Sequence, residues 1–134
     1  CCTVEMIGAP GRSGFGTVTP YLMVEHVEPV VEFLREAFDA TETYRTIGSI
    51  GGIHAEVQIG DTRLMLGGSA PSGTTAVPVC LFLYVENTDA VYQKAVAAGA
   101  STILEPGPNF EENRGAAVMD PFGNQWFIAT HDAT

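Results

Sequence analysis

Two residues in this 134-residue chain have the types and the spacing for proton chemistry, His54 and Glu56. Set two apart in the β-rich run IHAEVQI, they put an imidazole and a carboxylate on one strand face, about 7 Å apart at the backbone. Three roles fit them. They can be a hydrogen-bonded pair that orders the sheet, joined by Arg63 or Arg114. They can bind a ligand or do acid–base work, with Glu56 as base and His54 as acid. They can also begin a metal site with His131 as third ligand, although His131 itself reads as a surface residue. Burial among apolar side chains would raise the Glu56 pKa, unless a charged His54 pulls it back. Cys80 carries a nucleophile's side chain, yet its apolar strand predicts an inert buried thiol. His26 is assigned no role.

A half-chain repeat positions these groups. YLMVEHVEPVVEFLREA from Tyr21 aligns without a gap on FLYVENTDAVYQKAVAA from Phe82, an offset of 61 residues. One residue of drift later, Leu64–Leu66 falls opposite Trp126–Ile128. Residues 1–16 have no clean period and read as a flexible arm. A first module over 17–66 has an alternating strand from Thr17 to Val24, with Val18, Leu22 and Val24 on the core face. A helix with Pro29 in its first turn and an apolar stripe through Val30, Val31, Leu34 and Phe38 comes next. Strands follow at Tyr44–Ile47, Ile53–Ile59 and Arg63–Leu66. GGSAPSGTTAVP, 67–78, has linker composition. The second module, 79–131, repeats the order: strand Val79–Val85, a helix capped by Asn87 or Thr88 and stopped at Gly99, and strands at Ser101–Leu104, Gly115–Met119 and Gln125–Thr130. The expected architecture is α+β, two tandem βαβββ modules whose curved mixed sheets enclose a cleft.

Side chains alternate along a strand, so the residues opposite the core can be named. They are Thr19, Tyr21 and Met23 on the first strand, His54, Glu56 and Gln58 on the third, and Met65 on the fourth. In the second module they are Cys80, Phe82, Tyr84, Gln125 and Phe127, with Phe110 in a loop that can close over them. A lining of rings and thioethers with few polar groups suits a flat organic ligand.

Composition limits the partners. Six basic against sixteen acidic residues give a formal charge of −10, which repels phosphate backbones and excludes nucleic acid. The same acidity serves solubility or draws in a cationic small ligand. No apolar run reaches the length that crosses a bilayer, and the first residues lack the pattern of a signal peptide, so a cytoplasmic location without membrane contact is expected. Three cysteines, with Cys1 and Cys2 adjacent, do not make a disulfide framework.

The segments TPYLMV, HAEVQIGDTRLML, AVAAGA and DPFGNQWFIATH, in this order, make residues 17–131 resemble the vicinal oxygen chelate superfamily, which includes glyoxalase I, bleomycin-resistance proteins and extradiol dioxygenases, and within it the PhnB-like branch. In metal-dependent members, ligands come from the first and last strand of each module. Those positions fall here on Thr19, Met65, Cys80 and Phe127, none of them the His, Gln or Glu of the pattern. The resemblance therefore implies no bound metal or other cofactor, and neither glyoxalase I nor ring-cleaving activity. It implies a small-molecule-binding protein of the bleomycin-resistance type, taking an aromatic or cationic compound between the modules and pairing as a homodimer. The alternative is an isomerase or lyase acting beside a carbonyl, through Glu56 and His54 or a non-standard metal site.

Overall fold

The computed structural model describes residues 7, 11–49, 51–71 and 75–131. Cys1, Cys2 and much of the expected arm lie outside the described residues, as do 72–74 of the expected linker. The first module contains β1 (Tyr21–Met23), α1 (Val27–Phe38), β2 (Thr41–Ile47), β3 (Ile53–Ile59) and β4 (Thr62–Gly68). The second contains β5 (Cys80–Tyr84), α2 (Thr88–Ala97), β6 (Ser101–Gly107), β7 (Arg114–Met119) and β8 (Gln125–Thr130). Each module forms one four-stranded mixed sheet, ordered β1-β4-β3-β2 and β5-β8-β7-β6. The first strand of each module runs parallel to the last and the other pairings are antiparallel. The chain is thus an α+β fold of two tandem βαβββ modules.

The helices form as the pattern requires. In α1 the stripe Val27, Val30, Val31, Leu34 and Phe38 is buried, while Glu28, Glu32 and Arg35 face water. His26 gives the helix no side-chain cap; instead the Ser69 hydroxyl, from just beyond β4, accepts from the Val27 amide at 2.9 Å. In α2 the Asn87 side chain caps by accepting from the Ala90 amide at 3.1 Å, and the chain turns out at Gly99, φ 115°. The helices pack on each other and share one core with both sheets, made of the α1 stripe, Ala55, Val57, Leu64 and Leu66 from β3 and β4, and Trp126 and Ile128 from β8. Phe38 meets the Trp126 ring at 4.7 Å, and Phe33 meets Phe122 edge-on at 6.4 Å. Asp39 and Lys94 pair at 2.7 Å between the helix ends. This joint ties the modules together.

Two expectations change here. β1 begins at Tyr21 rather than Thr17, and Val18 is 88% exposed instead of facing the core. Pro20 explains the late start: it has no N–H for a ladder, and it only accepts, at 3.0 Å, from the Met65 amide. Cys80 is exposed rather than buried, because β5 is an edge strand and its side chain faces away from the core.

Candidate functional site

Alternation along β3 is strict. Ala55, Val57 and Ile59 enter the core, and His54, Glu56 and Gln58 take the other face. Across the sheet, Glu56 stands in register with Met65 on β4 and Tyr44 on β2, and Met65 in turn with Tyr21 on β1. Tyr21 lays its phenol over Gly67, where a side chain would obstruct it, and its ring centre is 6.0 Å from that of His54. Gly67 therefore belongs to this face.

Glu56 is 2% exposed although it lies on the side away from the core. His54 Nε2 is 2.8 Å from its Oε2, and the Arg12 guanidinium donates to the same oxygen. Arg12 comes from a segment that crosses this face, its guanidinium carbon 5.0 Å from the Phe15 ring centre and 5.7 Å from that of Tyr44. The partner of the pair is thus Arg12, and not Arg63 or Arg114. Arg63 donates to Gln58 at 2.9 Å and to the Ser13 carbonyl at 3.3 Å, and Arg114 forms a two-pronged pair with Asp89. Burial pushes the Glu56 carboxyl up. The hydrogen bonds from His54 and Arg12, with the Arg12 charge, outweigh it and hold the pKa below the ordinary 4.5. The expected rise is thus offset, by His54 as the sequence allowed and also by Arg12, whose part was not expected because the cation in the arm has no signature in the strand pattern.

The second sheet presents different chemistry. Phe82 and Phe127 are in register and nearly parallel, centres 6.3 Å apart. Phe110 stands edge-on to both, at 5.8 and 5.4 Å, and Tyr84 adjoins Phe82 at 5.1 Å. Phe110 and Glu111 both hold left-handed backbone, φ 62° and 58°, which non-glycine residues adopt only when their surroundings impose it. Asn109 imposes it in part, its amide donating to the Gly115 carbonyl at 2.9 Å and the Glu105 carbonyl at 3.2 Å. At the rim, Glu112 accepts from the Tyr84 hydroxyl at 3.0 Å and its other oxygen is 2.8 Å from His131 Nδ1. The His131 and Tyr84 hydrogen bonds hold the Glu112 carboxyl below its ordinary range, and the Glu112 bond raises the Tyr84 phenol.

The side chains expected to share one cleft thus divide between two faces. Tyr21, Met23 and His54 border a hollow of about 460 Å³ on the first sheet. Phe82 and Tyr84 border a groove of about 910 Å³ that runs along the module joint past Phe38, Leu81 and Leu83. Thr19 lies before β1 with its hydroxyl on the Gly16 carbonyl at 3.2 Å. Cys80 is in register with Gln125, and Phe127 with Phe82. Gln58 also donates to the Gly60 carbonyl at 2.9 Å. His131 sits with Glu112, away from His54 and Glu56, so those three do not form a metal site; among the described residues no three of His, Cys, Asp and Glu gather to hold a metal ion. Arg12, Phe15, Tyr44 and Glu112 escaped the sequence reading. Tyr44 alone could have been found, by pairing its strand in register with Glu56.

The comparisons with known proteins agree with this architecture. The family model of the glyoxalase/bleomycin resistance protein/dioxygenase superfamily matches residues 14–128. An uncharacterised protein of Mycobacterium bovis is 32% identical over 122 residues, covering 83% of this chain and 80% of its own. Among solved structures, the PhnB protein from Bacillus cereus superposes with a TM-score of 0.66 at 18% identity, over 84% of this chain and 98% of that one. TnmS3, an antibiotic binding protein from Streptomyces sp. CB03234, does so with a TM-score of 0.65 at 21% identity, over 86% and 96%. At these identities the two structures speak for the fold alone. With its tandem modules and the match across most of its length, the chain belongs to the glyoxalase/bleomycin resistance protein/dioxygenase superfamily.

Proposed function

We propose that the protein binds a flat aromatic or cationic small molecule on the ring-lined face of its second module, as a metal-independent member of the bleomycin-resistance or PhnB-like kind. One observation carries this reading. Phe82, 46% exposed, and Tyr84, 62% exposed, are held beside Phe110 and Phe127 in an arrangement that leaves ring surface open to a ligand. The acidic surface and Glu112 at the rim favour a positive charge on that molecule. TnmS3, which shares the fold, is an antibiotic binding protein, and a small organic ligand for this chain is in keeping with that.

The homodimer is part of this reading. β1 and β5 are edge strands, and the two polar and aromatic faces lie apart within one chain, so a second copy can bring them opposite each other. A second reading, an isomerase or lyase with Glu56 as base and His54 as acid, has the 2.8 Å contact in its favour. Arg12 on the same carboxylate weakens it, because an ion-paired carboxylate with a lowered pKa is a poorer base.

The test uses acridine orange, a planar cation. Wild type should bind it, and Phe82→Ala should weaken binding roughly tenfold, the loss of about 1–2 kcal/mol of ring contact. Sedimentation of the same samples should give a dimer. Unchanged affinity in Phe82→Ala removes the site from this face, and a product that forms on long incubation and disappears in Glu56→Gln replaces binding with catalysis.

A further inference from the structure

We infer that the first module holds a separate subsite for a guanidinium group, and that Arg12 of the chain's own N-terminal segment occupies it. The fixed half of the subsite belongs to the sheet. Glu56 supplies a carboxylate that is 2% exposed with Arg12 in place, His54 braces it at 2.8 Å, and Tyr44 offers a ring face 5.7 Å from the guanidinium carbon. A carboxylate beside an aromatic wall is a recognition site for a planar cation, since the ring quadrupole and the full charge both favour it. The cation itself comes from outside both sheets. It lies 44 residues from Glu56 in sequence and its side chain remains 56% exposed, with Phe15 of the same segment as its second ring. It can leave without opening the core.

A tethered occupant of this kind competes as though present at about millimolar concentration, and it lowers the apparent affinity of any free ligand by the fraction of time it fills the site. The ligand class follows from the occupant: an alkylguanidinium, or a compound bearing such a group. Arg12 then sets a threshold that such a compound must exceed. The inference rests on the binding reading for the view that these faces take ligands. It is tested with a molecule that has no ring, so loss of one leaves the other standing.

Ethylguanidinium is titrated at low salt into the full chain, and the backbone amide signals of Tyr44, Ala55 and Glu56 are followed by NMR. In Arg12→Ala the affinity should rise at least tenfold over wild type, and in Arg12→Ala with Glu56→Gln it should disappear. The amide spectrum of each variant reports that the fold is kept. Equal affinity in wild type and Arg12→Ala, no binding to Arg12→Ala, or binding that survives Glu56→Gln each overturns the proposal. Acridine orange binding that depends on Phe82 in those same samples would leave the aromatic site in place.

Discussion

The two modules share a fold and a register but hold opposite chemistry on the same positions. The 61-residue offset carries Tyr21 onto Phe82, His54 onto Gly115 and Glu56 onto Ala117. Glu56 faces Met65 across its sheet, and Ala117 faces Phe127 across the other. Where the first module has an imidazole and a carboxylate, the second has a bare backbone and a methyl group, and Phe110 from the β6–β7 loop lies over the vacated space above Gly115. In the first module the corresponding cover is the N-terminal segment with Arg12. A duplicated scaffold thus keeps its core, held by the pattern of apolar residues, while the sheet faces turned away from that core diverge because the core packing does not constrain them.

The largest effect should come from the shared joint. Trp126 belongs to the second module, yet its ring lies 4.7 Å from that of Phe38 in the first. Trp126→Ala should cost about 3–5 kcal/mol, the usual loss for deleting a buried aromatic ring. Denaturant unfolding followed by circular dichroism should remain a single transition. Two separated transitions would mean that the modules are independent units, and the comparison would become one between two domains.

The next contrast is between two glycines beneath rings. A Cβ at Gly115 would stand 2.6 Å from Phe110 Cδ2 and 3.1 Å from the Asn109 carbonyl oxygen, so the backbone as well as the ring obstructs it. At Gly67 the nearest obstacle is the tip of the Tyr21 side chain, which can swing aside. Gly115→Ala should displace Phe110 and weaken acridine orange binding at least tenfold, whereas Gly67→Ala should leave it within about twofold. Equal effects would show that the second module owes nothing special to its vacant position.

What the sequence disclosed follows the same division. The repeat, the helix stripe at Val30, Val31, Leu34 and Phe38, and the alternation through Ala55, Val57 and Ile59 are periodic, and periodicity is how a core is written. The outward set His54, Glu56, Phe82 and Phe127 came with it for free. Arg12 did not, because a single residue in an aperiodic segment reaches its partner by a path that no local spacing encodes. Glu112 escaped for a similar reason: its partners Tyr84 and His131 come from β5 and from just beyond β8, distant in the chain. Ser69 capping α1 from beyond β4 is another case. Which face meets which across the cleft was not legible either, since alternation tells which face a side chain takes but not which other face it meets.

The smallest effect concerns acid. Glu56 holds its proton less tightly when folded than at the ordinary 4.5, since His54 and Arg12 outweigh burial. A depressed pKa means that its contribution to stability is full above about 4.5 and is lost as pH falls through the folded value. Arg12 is more than half exposed, so water and salt screen the pair and its worth is modest. The melting temperature of wild type should exceed that of Glu56→Gln by about 1–3 °C at pH 7 and low salt. The gap should close as pH drops below 4.5. Asp89 and Glu112 are also held below their ordinary range, but they titrate in both proteins and cancel in the difference. In Arg12→Ala the gap should narrow already at neutral pH. If it instead persists unchanged in acid, the carboxylate acts there as a neutral hydrogen-bonding group, and the contrast between a charged first face and an aromatic second one loses its electrostatic half.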